Sequence, residues 1–119
     1  MKILICEDEE ILLTALEFRM RKVGMDVVLA KDGQEAFQKI ATERPDLIVA
    51  DIEMPKLSGI QLIEKVRQSE HKHLPIIVIS ALDHEDDILE AFRKGANDFV
   101  AKPFKPAELV LRVKRILLV

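Results

Sequence analysis

The run "ILICEDEE", residues 3–10, sets four apolar residues against four carboxylates with no base among them. Ile3 to Cys6 do not alternate with polar residues. A strand built from them is apolar on both faces, the pattern of a parallel sheet covered on each side. Four further runs, residues 27–30, 47–50, 76–79 and 99–101, have the same character. Each is separated from the next by enough chain for a crossover helix. The intervening segments carry apolar stripes at helical spacing: Leu12, Ala15, Leu16, Met20 and Val23; Ala36, Phe37, Ile40 and Ala41; Leu62, Ile63 and Val66; Ile88, Leu89 and Phe92; Leu109, Val113 and Ile116. Asp32 with Glu35 and Ser58 with Gln61 have capping-box spacing, and Asp83 suits an N-cap. Gly95 fits the residue after a helix, and Pro106 a first turn. The pattern predicts a (βα)5 domain over residues 1–119, an α/β doubly wound open parallel five-stranded sheet with helices on both faces.

Composition narrows the function. The 119 residues carry a net charge of −3, which disfavours a general nucleic-acid or anionic-membrane surface. Apolar runs fall far short of a membrane span, and Met1-Lys2 leads directly into a strand, so neither anchor nor signal peptide is read. The single cysteine, Cys6, cannot form an internal disulfide and reads as a small buried hydrophobe. A cytoplasmic setting is the expectation.

The carboxylates need an explanation, because like charges repel and burial strips their hydration. Glu9 and Glu10 fall in the first turn of a helix, where the macrodipole favours anions. Glu7 and Asp8 end a central strand, at the edge where open α/β sheets bind ligands. Asp51 ends "LIVA" and opens "DIEMPKLSG"; Ser80 ends "IIVIS", followed by Ala81; Lys102 ends "DFVAK". Three acids, a hydroxyl and an ammonium therefore converge from different strands. The surplus of about two negative charges calls for a divalent ion. Oxygen ligands without clustered Cys or His favour Mg2+ (or Mn2+). Such a group suits phosphoryl transfer, with Asp51 attacking in line while metal and ammonium neutralise the phosphoryl oxygens.

"ILICEDEE", "DLIVADIEMPKLSG", "PIIVISAL" and "GANDFVAKPFKPAEL" together closely resemble the receiver domain of bacterial two-component response regulators, from Met1 to the C-terminus. The resemblance implies the strand order 2-1-3-4-5. It implies that Asp51 accepts a phosphoryl group from a histidine kinase or phosphotransfer protein, and that the domain catalyses its own phosphorylation and dephosphorylation rather than serving as an enzyme. Asp8 would bind Mg2+ directly, with Glu7 beside it or acting through a water, and the backbone carbonyl of Glu53 would add a ligand. Ser80, with Ala81 next to it, would meet the phosphoryl group, and Lys102 would pair with it. Phe99 matches the aromatic switch position. The Lys102–Pro103 bond is expected cis, and Gly59 matches the glycine after the Met-Pro turn.

Three departures stand out. Glu7-Asp8 replaces the Asp-Asp pair of many relatives, Phe99 lacks the hydroxyl of a tyrosine, and Glu53 puts a charge beside the phosphoryl site. The competing readings are a Mg2+-dependent small phosphatase and a phosphate-independent pseudo-receiver. The phosphatase would want a second Asp where Glu53 stands, and in a pseudo-receiver the reactive positions need not all be filled. A flavin-binding domain of the same architecture would meet repulsion at "CEDEE". "HKH" at 71–73 reads as a solvated loop.

Output is expected through the helix 4, strand 5 and helix 5 face, with no direct nucleic-acid or membrane contact by this domain. The segment "GANDFVAKPFKPAELVLRV" is close to the winged-helix subfamily. There a fourth-helix cation pairs across a dimer with the acid corresponding to Glu108, but Ile88 stands in the cation's place. Ile88, Leu111 and Leu118 are the candidate interface residues for a homodimer. The chain stands either alone or as the trimmed part of a longer regulator.

Overall fold

A computed structural model describes residues 1–81 and 85–119. Five strands, β1 (Lys2–Cys6), β2 (Asp26–Ala30), β3 (Leu47–Asp51), β4 (Ile76–Ala81) and β5 (Asp98–Lys102), alternate with five helices. These are α1 (Glu10–Lys22), α2 (Gly33–Glu43), α3 (Gly59–Arg67), α4 (Glu85–Lys94) and α5 (Pro106–Leu117). All neighbouring strands pair in parallel, in the order β2-β1-β3-β4-β5.

The unbroken apolar runs now have a cause. Successive side chains of a strand point to opposite faces, and both faces are covered here. Ile3 and Ile5, Leu47 and Val49, Ile77 and Ile79 enter one core layer with Leu16 of α1 and Leu109 and Val113 of α5. Leu4 and Cys6, Ile48 and Ala50, Ile76 and Val78 enter the other, with Ile40 of α2, Leu62 and Ile63 of α3 and Ala91 of α4.

The helix starts follow the expected chemistry with one variation. Ser58 and Gln61 form the complete capping box, each side chain bonding the other's backbone. Asp32 accepts from Glu35 N at 2.8 Å, but the Glu35 carboxylate reaches past the cap to Lys31 N at 2.7 Å. Pro106 opens α5, and Gly95 follows α4 with φ +123°. Asp83 lies outside the described residues. None of the described helices is long and apolar enough to cross a membrane.

The apolar stripes are phased slightly differently from the expectation. On α1, Leu13 is buried whereas Val23, past the last turn, is exposed. Ala41 of α2 is exposed. On α4, Ile88 and Ala91 face inward, while Leu89 (54% exposed) and Phe92 (40%) face out. Ile88 is therefore a core residue, 9% exposed, with little surface to offer an interface. The reason is Ala91: a small side chain lets α4 settle closely, and that rotates its larger apolar neighbours toward solvent.

Candidate functional site

The parallel register brings the strand ends to one level. Cys6 pairs with Ala50, Asp51 with Ile79, Ser80 with Ala101 and Ala81 with Lys102. The residues at or just beyond these ends, Glu7, Asp8, Asp51, Ser80, Ala81 and Lys102, line an open cavity of about 710 Å³. The sequence reading nominated all six for this edge.

Asp51 is the centre. It is 4% exposed, and each carboxylate oxygen has a donor: Glu53 N to Oδ1 at 2.9 Å and Lys102 Nζ to Oδ2 at 2.5 Å. Lys102 also lies 3.3 Å from Glu7 Oε1, so one ammonium bridges two buried carboxylates. Burial works against that ammonium, but the hydrogen bond and charge of Asp51, followed by Glu7, outweigh it and raise the pKa.

Glu7 is fully buried, and its Oε2 accepts from Glu9 N at 3.1 Å. Among the described residues its Oε1 accepts no hydrogen bond. Burial, then the charge of Asp51, pushes the Glu7 carboxyl up to about 7. Exposed Asp8 completes the acidic group: Glu7, Asp8 and Asp51 each offer an oxygen, and these lie within 4.8 Å of one another. An under-bonded buried oxygen, three carboxylates at this spacing and one balancing lysine make a donor set that fits a hard divalent cation.

The surroundings are built to let the backbone close in. A Cβ on Gly59 would lie 2.5 Å from the Asp51 carbonyl oxygen, and Gly59 N donates to Ile52 O at 2.9 Å. Only glycine allows the start of α3 to sit against the Asp51 segment in this way. Cys6 is fully buried, with Sγ 3.1 Å from Met54 Sδ; burial, then the nearby Asp32 charge, pushes its thiol up, away from the reactive thiolate. Ser80 is 2% exposed, with its hydroxyl 3.4 Å from Ala81 O. Half-buried Phe99 meets Phe92 of α4 edge to face, with centroids 5.9 Å apart. The Lys102–Pro103 bond is cis.

Leu111 (70% exposed) and Leu118 (90%) lie on and just after α5, away from the cavity. The exposed side chain of Glu53 borders it. Sequence reasoning missed Asp87, which lines the cavity from the first turn of α4, and Met54 and Ile60, which form part of its wall. No local signal marks them, because their place depends on how α4, the start of α3 and the segment before it pack over the strand ends.

Residues 3–114 match the family model described as the response regulator receiver domain. The alkaline phosphatase synthesis transcriptional regulatory protein PhoP of Bacillus subtilis is 44% identical over 116 residues, covering 98% of this chain and 48% of PhoP. This chain spans about half the length of the curated relatives it matches. The Francisella response regulator 1452 receiver domain superposes with a TM-score of 0.89 at 34% identity, over 97% of this chain and 94% of that one. The receiver domain of the sensor histidine kinase PA1611 from Pseudomonas aeruginosa, which holds a magnesium ion in its active-site cleft, gives 0.87 at 34% identity, over 96% and 94%.

Proposed function

Because the chain belongs to the response regulator receiver domains, we propose that it accepts a phosphoryl group on Asp51 from the phosphohistidine of a kinase or phosphotransfer protein. Receiver domains of this family are regulatory and interact with such partners. One observation carries the assignment to this residue. Asp51 is the carboxylate that Lys102 and the Glu53 amide both hold, with the oxygens of Glu7 and Asp8 within 4.8 Å.

In the proposed reaction an Asp51 oxygen attacks phosphorus in line. The P–O bond forms as the P–N bond to the donor imidazole breaks, and the leaving nitrogen keeps the electron pair. Glu7, Asp8, Asp51 and the backbone carbonyl of Glu53 are the residues that would hold Mg2+, whose charge when bound offsets that of the incoming phosphoryl oxygens. Lys102 exchanges its bond to Asp51 for one to the phosphoryl group, and the Ser80 hydroxyl turns from Ala81 O toward the same group. Movement of Ser80 leaves room for Phe99, and the face formed by α4, β5 and α5 changes its packing. PhoP is named as a transcriptional regulator; by analogy this domain would be the signal-receiving part of such a protein.

Labelling by acetyl phosphate tests the reading. The parent should be labelled in Mg2+ and hardly at all in a chelator, without turnover of phosphomonoesters. Asp51→Asn should lose all labelling and still melt cooperatively. Full labelling of that variant would overturn the assignment, and steady hydrolysis of phosphomonoesters would favour the phosphatase instead.

A further inference from the structure

Arg67, the last residue of α3, sits at the opposite end of the sheet from Asp51, and its hydrogen bonding is unusual for a charged group. Its Nε and Nη2 donate to Gly95 O at 3.1 and 2.7 Å. Nη2 also donates to Asn97 Oδ1 at 2.9 Å, and Nη1 to Lys72 O at 3.0 Å and Leu74 O at 2.6 Å. A guanidinium has five N–H donors; these contacts occupy all of them, and each acceptor is a neutral carbonyl.

The parts joined in this way are the end of α3, the segment before β4, and the end of α4. Gly95 N donates to Ala91 O at 3.1 Å, so the gripped carbonyl belongs to the residue that terminates α4. A Cβ on Gly95 would stand 2.8 Å from Arg67 Nε, so a side chain there would push the guanidinium off these carbonyls. Asn97 is itself fixed to the start of β4, with Oδ1 accepting from Ile76 N and its N donating to Ile76 O, both at 2.8 Å. Lys94 adds an ion pair to Glu64 of α3 at 3.5 Å.

At its other end α4 is exposed through Glu85, Asp86 and Asp87, and Asp87 lines the Asp51 cavity. Between the two ends, Phe92 touches Phe99.

We propose that Arg67 is a positioning residue that makes the Gly95 end of α4 a fixed pivot, so that phosphorylation tilts this helix rather than sliding it. This rests on the phosphoacceptor reading of Asp51. A helix of 10 residues is about 15 Å long. With its far end held, a small push beside Ser80 and Phe99 moves Asp87 most and Lys94 least, and re-aims Leu89 and Phe92. Without the anchor the Gly95 end gives way and the same push slides the helix, a hinge turned into shear.

Amide NMR of the whole chain, with and without beryllofluoride and Mg2+, tests this. In the parent, shift changes should be large at residues 86–88 and small at 94–96. Arg67→Met keeps the apolar stem and removes the donors. It should raise amide exchange at Gly95 and Ala96 about tenfold or more, and flatten the gradient of beryllofluoride shifts along α4. Asp51 labelling by acetyl phosphate should stay within about twofold, because the site itself is untouched. Arg67→Gln retains two of the donors and should fall between; it carries the comparison if Arg67→Met does not fold. A gradient identical in parent and folded variants, or none in the parent, would overturn the pivot. If the parent takes neither acetyl phosphate nor beryllofluoride, the phosphoacceptor reading fails instead. Exchange at Gly95 and Ala96 still decides whether Arg67 anchors α4, and unchanged exchange there rejects it.

Discussion

Glu7 links burial to both pH and metal. Its carboxyl titrates near 7 in the folded protein against an ordinary value of 4.5. Between those two values the folded state holds a proton that the unfolded chain has released, so metal-free stability falls as pH rises across that window. The full effect is on the order of 3 kcal/mol, at about 1.36 kcal/mol per pH unit. Chemical denaturation in a chelator at pH 5 and pH 8 should show the parent weaker at pH 8. Glu7→Gln should remove most of that difference, and an undiminished slope in the variant would place its origin elsewhere. Mg2+ should reverse the trend, because it competes with the proton. Its stabilisation, about 2.7 kcal/mol at a hundred times the dissociation constant, should be larger at pH 8 than at pH 6. Asp8→Asn should lose nearly all of the thermal shift with Mg2+. A shift equal to the parent's would move the metal away from this cluster.

The strands were legible because two-sided burial writes itself into sequence as unbroken apolar runs, and Ser58 with Gln61 was legible because capping is local chemistry. So was the clustering of the candidate site: a parallel sheet with its register aligned must deliver Glu7, Asp51, Ser80 and Lys102 to one edge. Most of the misses are matters of helix rotation. Counting apolar residues favours Leu89 and Phe92 over Ala91, yet the alanine marks the contact side of α4. For the same reason Asp87 could not be assigned to the cavity, and Ile88, read both as part of the apolar stripe and as an interface residue, belongs to the core alone. Helix α1 adds a surface the periodicity did not single out. Ile11 (83% exposed) and Phe18 (63%) are seven apart, with Thr14 and Ala15 between them on one stripe that begins next to Glu9 at the cavity rim. If a protein donor that presents a phosphohistidine to Asp51 covers this stripe, its transfer depends on α1, whereas labelling by acetyl phosphate does not. Ile11→Glu should slow transfer from a phosphohistidine protein by about tenfold, the scale of one interface hot spot, while leaving acetyl phosphate labelling within about twofold. Equal slowing of both donors would remove α1 from the docking surface.

At the scale of the molecule, the apolar surface outside the core gathers along α4 and α5 as well as on α1. Leu89 and Phe92 are exposed on α4, and Leu111 and Leu118 on and after α5. Stable dimers bury about 800 Å² per partner, more than Leu111 and Leu118 alone would supply, so Leu89 and Phe92 would have to take part. The Arg112 cluster on this face is already committed within the chain. Arg112 pairs with Asp98 at 2.9 Å and with Glu108 at 3.3 Å, and Ile88, where a cross-dimer cation would stand, is in the core. Self-association through this face would therefore be driven by apolar contact and not by exchange of the Arg112 ion pairs between subunits. Sedimentation with beryllofluoride and Mg2+ should show a larger dimer fraction than without them. Raising salt from about 0.1 M to about 1 M, which shortens the screening length from about 10 Å to about 3 Å, should leave that fraction unchanged or increased. Leu111→Glu with Leu118→Glu should abolish the gain while Asp51 still labels. Dissociation at high salt would mean that Arg112 or Glu108 changes partner on association. A beryllofluoride-loaded protein that stays monomeric at high concentration would end the homodimer and leave the face to a different protein.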